Sequence, residues 1–189
     1  MKISKNTESI TETLNSQLKN AGINTSAWGR LHTKTVEQLQ KQIEDGETVL
    51  IKDKDGRLLR KVDWVSADVY YISKDGKRYR LKEEKIVLKN KYEFHRDLDG
   101  AVSEKIKKGG NPDSTLVRGI NEELGISGTI SSNYIGLTER TIDSPSYPGL
   151  LAKFTIYKYN VELNDEQFNP KGYIEKLPYQ TSYFIWKEI

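Results

Sequence analysis

Residues 103–126 read SEKIKKGGNPDSTLVRGINEELGI, and this stretch contains the clearest local structural signals in the chain. Asn111 is a favourable helix N-cap, and Pro112 suits the first helical position. Gly125 is a typical residue at a helix end, so a helix is predicted from Pro112 to Leu124. We expect one apolar stripe of this helix to pack on a sheet, formed by Leu116, Val117, Ile120 and Leu124.

Two adjacent carboxylates, Glu122 and Glu123, occupy the last turn of this predicted helix. The negative end of the helix dipole disfavours them by roughly 0.3–1 kcal/mol, and a bound divalent cation would reverse that penalty. Arg118 precedes Glu122 by one helical turn on the same face, which suits an ion pair. The alternative interpretation is an acidic helix end that only faces water.

Two helical patterns lie in the first 46 residues. The second of them spans Thr35–Glu44 and ends near Gly46. The first ends at Gly22 and has apolar residues at every third or fourth position, namely Ile10, Leu14, Leu18 and Ala21. We therefore predict an N-terminal helical extension over residues 1–46 and a main domain over residues 47–189.

From Thr48 onward the pattern is typical of strands. The Asp55-Gly56 and Asp75-Gly76 pairs each separate two strand-like runs, and Asp-Gly pairs favour hairpins because both residues tolerate positive φ. Further strands are predicted at Tyr92–His95, Thr129–Leu137 and Leu151–Leu163. Strands interrupted by a single helix indicate an α+β or mixed α/β domain.

The composition excludes several classes of site. The chain of 189 residues has no cysteine, which excludes disulfides, zinc–thiolate sites and cysteine nucleophiles. With only two histidines, any metal is expected to be held by carboxylates, which favours Mg²⁺ or Mn²⁺. A net charge of +3 does not by itself favour a nucleic-acid partner. Because no apolar run has membrane-spanning length and no signal sequence is evident, we expect a cytoplasmic protein with no membrane partner.

The spacing within residues 103–126 resembles the Nudix box, G-x5-E-x7-R-E-U-x-E-E-x-G-U, where U is a large aliphatic residue. Three defined positions depart from it: Glu104 replaces the opening glycine, and Gly110 and Gly119 replace two glutamates. The segment from Glu139 also resembles part of a poorly characterised Nudix-like group. The matching positions of the box are Arg118, Ile120, Glu122, Glu123, Gly125 and Ile126.

The resemblance implies a fold, a reaction and a set of metal ligands. The family fold is a mixed sheet between helices, and its members hydrolyse a nucleoside diphosphate linked to another moiety, usually with magnesium. By this resemblance Glu122 and Glu123 would be catalytic and would ligate the metal. Arg118 would orient these carboxylates, and the backbone carbonyl of Ser103 would lie near a further ligand position. Glu104 is a candidate substitute ligand, with an exposed loop charge as the alternative.

The remaining site residues are less sharply defined by the sequence. Gly119 lacks a carboxylate that acts as the base in some family members, so a base would come from elsewhere. Three candidates stay open, namely Glu139, Glu162 and Glu166. Lys105 and Lys107 would attract substrate phosphates, and Tyr147 would stack on a nucleotide base. Solvated loop charges and a structural tyrosine are the alternatives.

Two function classes follow from these observations. In the first, the protein hydrolyses a nucleoside diphosphate derivative with the help of a metal. In the second, the fold is a catalytically impaired module that binds a nucleotide or a protein partner. The pair Glu122 and Glu123 favours the first class, whereas Gly110 and Gly119 favour the second. A Gly119→Glu variant separates the two classes, because it should gain hydrolysis only if the protein is the impaired module. This test assumes that the new glutamate fits beside Glu122 and Glu123 without a clash.

Overall fold

A computed structural model describes residues 14–30, 33–95 and 100–189. Within these ranges, three helices accompany a nine-stranded sheet, so the predicted α+β class is confirmed. The helices are α1 (residues 14–20), α2 (Val36–Glu44) and α3 (Pro112–Leu124). The strands are β1 (Val49–Lys52), β2 (Leu58–Ile72), β3 (Arg78–Leu88), β4 (Glu93–Phe94), β5 (Val102–Lys105), β6 (Ser131–Asp143), β7 (Leu151–Leu163), β8 (Tyr173–Lys176) and β9 (Gln180–Glu188).

The strand order is β6-β7-β2-β3-β9-β8, with β1 and β5 pairing with β2 and β4 with β3. Both predicted hairpins form, with Lys52 opposite Leu58 in the first and Ile72 opposite Arg78 in the second. The sequence predicted two separate runs between these turns, but β2 is a single strand of 15 residues. No glycine or proline interrupts those residues, so nothing in the backbone ends the strand there.

The chain divides into two compact units. Unit 1 comprises Met1–Asp63, Lys107–Gly109 and Glu139–Thr155, and unit 2 comprises Trp64–Ile106, Gly110–Thr138 and Ile156–Ile189. The predicted boundary after residue 46 stays a prediction. Within the described ranges, no helix is both long enough and apolar enough to cross a membrane.

The core of unit 1 brings the first two helices together with an aromatic pair. Thr35 caps α2 through a reciprocal capping box with Gln38, as expected for a helix beginning at this position. The predicted helical position Ile10 lies outside the described residues. The buried members of this core are Leu14, Leu18, Trp28, Leu39, Leu58, Tyr147 and Leu150.

Helix α3 forms part of the core of unit 2 and has the predicted bounds. The Asn111 side chain accepts hydrogen bonds from the backbone N–H groups of Asp113 and Ser114, and Gly125 ends the helix with φ 68°. The buried stripe consists of Leu116, Ile120 and Leu124. The prediction that Val117 belongs to it is wrong, because Val117 is 45% exposed. One residue turns an α-helix by about 100°, which directs Val117 away from the stripe centred on Leu116 and Ile120.

Candidate functional site

Helix α3 packs closely on strand β5 at Gly119, one of the two glycines that replace signature glutamates. A Cβ atom at position 119 would lie 3.0 Å from Glu104 Cβ and 3.2 Å from Val102 Cγ1. These distances are tighter than ordinary side-chain packing. A side chain at position 119 would therefore require Glu104 or Val102 to shift by a few tenths of an ångström, and the expectation that a glutamate fits there without a clash stays a prediction.

Strand β5 itself was not predicted, since residues 102–105 have too few members to show a period. It pairs antiparallel with β2, with Ser103 opposite Ser66 and Glu104 opposite Val65. This pairing places Glu104 against the helix rather than on a solvated loop. Its side chain is only 25% exposed.

Glu123, at the C-terminal end of α3, is the most strongly perturbed carboxyl group of the site. Its Oε1 atom accepts a hydrogen bond of 3.1 Å from the backbone N–H of Ser103. Burial raises the pKa of Glu123 from 4.5 to about 9, and the Ser103 hydrogen bond only partly opposes this effect. The negative charges of Glu175, Glu104 and Glu83 raise the pKa further. Without a bound cation, the Glu123 carboxyl is therefore protonated at neutral pH.

We call Glu83, Glu104, Glu123 and Glu175 the acidic cluster. Glu83 lies opposite Phe184 in the β3–β9 pair, and Phe184 is buried in the core of unit 2. Glu175 lies opposite Ser182, two residues along β8 from the buried Tyr173. Cross-strand partners share a sheet face, so both glutamates lie on the face that packs toward α3.

Ser182 is a fully buried polar residue of unit 2, opposite Glu175 in the β8–β9 pair. Its side chain is fully buried, and its hydroxyl has no hydrogen-bond partner among the described residues. The sequence pointed to neither Ser182 nor Glu83 nor Glu175. Glu83 sits in the run Lys82–Lys85, which looks like a solvated strand, and a register shift between Glu83 and Lys85 breaks the alternation there.

Arg118 links the helix to strand β5. Its Nη2 atom donates to Glu104 Oε1 at 3.1 Å and to the backbone carbonyl of Lys105 at 2.8 Å. The predicted pair with Glu122 is present but longer, with 3.9 Å between Arg118 Nε and Glu122 Oε2. The Glu122 side chain is 57% exposed. The guanidinium is thus fixed mainly by β5.

The structure brings six of the predicted site residues into one part of unit 2. The Ser103 backbone approaches Glu123, but the group directed at it is the N–H rather than the predicted carbonyl. Lys105 accepts a hydrogen bond from Arg118 through its backbone carbonyl. The six are Ser103, Glu104, Lys105, Arg118, Glu122 and Glu123.

The other predicted residues lie elsewhere. Glu139 belongs to unit 1 and pairs with Lys153 at 3.2 Å, and Lys107 is an exposed residue of unit 1. Tyr147 is also in unit 1 and is fully buried. Its ring is 5.0 Å from that of Trp28, so it has no open face for a nucleotide base. The other two candidate bases, Glu162 and Glu166, are exposed residues of unit 2.

The carboxylates of the site have the chemistry of a magnesium or manganese site, since both ions prefer hard oxygen ligands. Across residues 14–30, 33–95 and 100–189, no three histidine, aspartate or glutamate side chains are placed to share one metal ion. Magnesium often needs only one or two carboxylates, because waters and substrate phosphates complete its shell. The pair Glu122 and Glu123, with Glu104 nearby, fits such a partial set.

Comparison with known proteins gives matches among solved structures. No protein-family model matches the chain, and no curated protein matches its sequence. The Ap4A hydrolase of C. elegans aligns with TM-score 0.39 and 12% identity over 67% of this chain and 80% of its own. The NUDIX domain of Shewanella oneidensis NrtR, complexed with ADP ribose, aligns with TM-score 0.38 and 8% identity over 68% and 73%. A Nudix hydrolase from M. smegmatis, RenU, aligns with TM-score 0.34 and 8% identity over 74% and 79%.

Proposed function

We propose that this chain is a divergent Nudix-like protein that hydrolyses a nucleoside diphosphate linked to another moiety, with Mg²⁺ or Mn²⁺ as cofactor. The observation that supports this most is Glu123, a partly buried carboxyl group on which three other carboxylates act. Burial, like charges and the negative end of the helix dipole all disfavour its ionised form. Such an arrangement does not favour stability, and strongly perturbed groups of this kind concentrate at functional sites.

A divalent cation would favour the ionised form of Glu123 and so offset the effects of burial, of the like charges and of the helix dipole. Glu122 and Glu123 would hold it, and waters and substrate phosphates would complete its shell. When bound, the cation would neutralise the charge of the diphosphate and activate a water molecule. Because Glu123 is protonated without the cation, binding would release about one proton at neutral pH.

The other residues of the site have roles that do not depend on the cation. Arg118 fixes Glu104 and the end of β5 through two hydrogen bonds. Lys105 would draw phosphate groups toward the site electrostatically. Glu123 differs from these residues, because it could accept a proton only after the cation had displaced the proton that it carries at neutral pH.

A second candidate function has its own support. Gly119 lacks a carboxylate, and no three-ligand metal group exists among the described residues. In that case the fold binds a nucleotide or a protein partner without turnover. The two candidates differ in one measurable quantity, which is product formation from a bound nucleotide.

The test is a screen of nucleoside diphosphate sugars, ADP-ribose, dinucleoside polyphosphates and nucleoside triphosphates, with and without Mg²⁺ or Mn²⁺. We expect metal-dependent release of a nucleoside monophosphate product from at least one class. Glu123→Gln should lower the rate by roughly 10²–10⁴-fold. The matched control is Glu84→Gln, an exposed glutamate next to Glu83 in β3.

Three outcomes separate the candidates. Metal-dependent turnover that needs Glu123 supports the hydrolase. Nucleotide binding without turnover, measured by calorimetry, supports the binding module instead. A wild-type protein that neither binds nor hydrolyses any of these compounds overturns both nucleotide proposals and leaves a protein partner.

A further inference from the structure

The two faces of strands β3, β9 and β8 in unit 2 differ in burial and in charge. Cross-strand partners share a face, so the register shows which residues lie together. The face that packs toward α3 carries the buried residues Leu81, Ile86 and Phe184. We call the opposite face the open face, because the side chains on it reach solvent, among them Arg80, Lys82, Tyr183 and Lys187.

A bulge in β3 places two lysines together on the open face. The register shifts at Glu84, which is itself exposed. Lys82 lies opposite Ile185, and Lys85 lies opposite Tyr183. Since Ile185 and Tyr183 are two residues apart on β9, they share a face, and both lysines share it with them. In a regular strand, residues three apart point to opposite faces, so one lysine would have pointed toward the core.

Cations outnumber carboxylates on the open face. Asp68 pairs with Arg80, and Glu93 pairs with Lys85 at 3.1 Å. Within the described ranges, the other cations of this face have no carboxylate at ion-pair distance. The net charge of the whole chain is only +3, so the excess belongs to this face. Its six cations are Arg78, Arg80, Lys82, Lys85, Lys176 and Lys187.

Two tyrosine rings lie among these cations. Arg78 Cζ is 4.3 Å from the centre of the Tyr70 ring, and Lys85 Nζ is 5.5 Å from the centre of the Tyr183 ring. Both tyrosines are half-buried, so each ring rests on the sheet and keeps an accessible part. Proteins hold single-stranded nucleic acid with this combination, in which cations follow the phosphates and aromatic rings stack on the bases.

We infer that the open face binds a single strand of nucleic acid, with Lys82 and Lys187 neutralising phosphates and Tyr183 stacking on a base. An antiparallel sheet face with aromatic side chains is a surface on which RNA-binding modules stack unpaired bases. An acidic protein segment would also meet the cations, but it would leave the rings without a stacking partner. The inference does not depend on the proposed hydrolysis, because α3 packs on the opposite face of these strands.

The charge part is tested by fluorescence anisotropy of a labelled oligothymidylate of about ten nucleotides, a length within known site sizes. The full chain is used in EDTA, so that no metal-dependent hydrolysis interferes. We expect binding that weakens with salt, and Lys82→Gln and Lys187→Gln should each lower the slope of log affinity against log salt by about 0.7. The matched control is Lys171→Gln, an exposed lysine in a turn of unit 2, which should keep the slope.

The stacking part is tested at Tyr183. Tyr183→Leu keeps an apolar side chain and removes the ring, so it should weaken oligonucleotide binding roughly 5- to 150-fold. Tyr183→Phe keeps the ring and should bind as the wild type does. The matched control is Tyr134→Leu, 48% exposed on β6 at the other end of the strand order, which should also bind normally. Urea unfolding checks that each variant keeps its fold.

Three results would overturn the inference. The first is a wild type that does not bind the oligonucleotide at low salt. The second is a slope that falls equally in Lys171→Gln and Lys82→Gln, because the binding would then have no particular face. The third is unchanged affinity in Tyr183→Leu together with equal binding of polyglutamate, which would assign the open face to an acidic protein partner. Failure of the metal-dependent hydrolysis screen would leave all these measurements unaffected.

Discussion

Arg60 of unit 1 is buried and Glu123 of unit 2 is partly buried, and the surroundings of these two charged side chains are opposite in kind. Arg60 of unit 1 is 6% exposed and lies 5.1 Å from the centre of the Tyr147 ring. Its guanidinium donates to Ser144 Oγ and to Gln42 Oε1, both at 3.4 Å. Glu123 of unit 2 has one backbone N–H donor and three carboxylates acting on it.

The two environments differ in whether the neighbouring groups favour the charged form of the side chain. Burial lowers the pKa of Arg60, but Tyr147 and Glu47 both act to raise it. Around Arg60, the aromatic face and the neutral oxygens all favour a cation. Around Glu123, the neighbouring carboxylates reinforce the effect of burial instead of opposing it. Complementary neighbours are typical of a charge with a structural role, whereas the like-charged neighbours of Glu123 are what supports the proposed cation site.

The largest loss of stability is expected from removing the Tyr147 ring, which lies against Arg60. Tyr147→Ala deletes the fully buried ring that contacts Trp28 and the hydroxyl that donates to Gln42 at 2.9 Å. Urea unfolding should show a loss of about 3–5 kcal/mol. Tyr179→Ala, at a position 62% exposed, should stay within about 0.5 kcal/mol of the wild type. Equal small losses in both variants would remove the structural interpretation of the Arg60 region.

The second prediction is that the free energy of unfolding depends on pH through the ionisation of Glu123. Its pKa is about 9 in the folded chain against 4.5 ordinarily, so between these values the folded chain holds one more proton than the unfolded chain. The stability due to this group is complete below pH 4.5 and is lost as pH rises toward 9, by at most about 1.4 kcal/mol per pH unit.

Glu123→Gln should flatten this slope, and the measurement is the free energy of unfolding of the metal-free protein from pH 5 to 9. The amide cannot lose a proton, so the variant should gain stability relative to the wild type as pH rises. Glu122→Gln, at an exposed neighbouring position, should keep the wild-type slope. If all three proteins change in parallel with pH, Glu123 is not the perturbed group.

The smallest loss of stability is expected from Tyr147→Phe, which removes the hydroxyl and keeps the ring. Tyr147→Phe removes only the hydrogen bond to Gln42, and Gln42 Oε1 still faces Arg60 Nη2. We expect a loss of about 0.5–1.5 kcal/mol by urea unfolding. Tyr92→Phe, at a position 62% exposed, is the matched control and should change stability by less than about 0.5 kcal/mol. A loss in Tyr147→Phe as large as in Tyr147→Ala would mean that the hydroxyl, not the ring, holds this core together.

Local sequence patterns predicted the elements whose conformation depends on residues close by in the sequence. Helix α3 has the bounds expected from Asn111, Pro112 and Gly125, because capping depends on residues within one turn of each end. The Asp-Gly hairpins are also where the sequence placed them, because turn conformation depends on the residues of the turn itself. Val117 shows the limit, since an apolar residue next to the buried stripe need not belong to it.

The sequence also indicated that Arg118, Glu122 and Glu123 belong together, because their spacing on one helix fixes their distance. It did not indicate the environment that gives Glu123 its unusual pKa. Glu83 and Glu175 are far from Glu123 along the chain and act on it only because three strands place them beside α3. The burial of a carboxyl group depends on all of its neighbours, most of which are non-local.

By itself, the sequence determined helix α3 and the two hairpins, and it pointed to Glu122 and Glu123 as the carboxylates of the proposed cation site. Only the tertiary structure decided that Glu104 occupies the space beside Gly119 and holds Arg118. Helix periodicity arises within one turn of backbone, so a linear pattern can predict it. Contact between a helix and a strand depends on sheet register and close packing, which no single segment specifies.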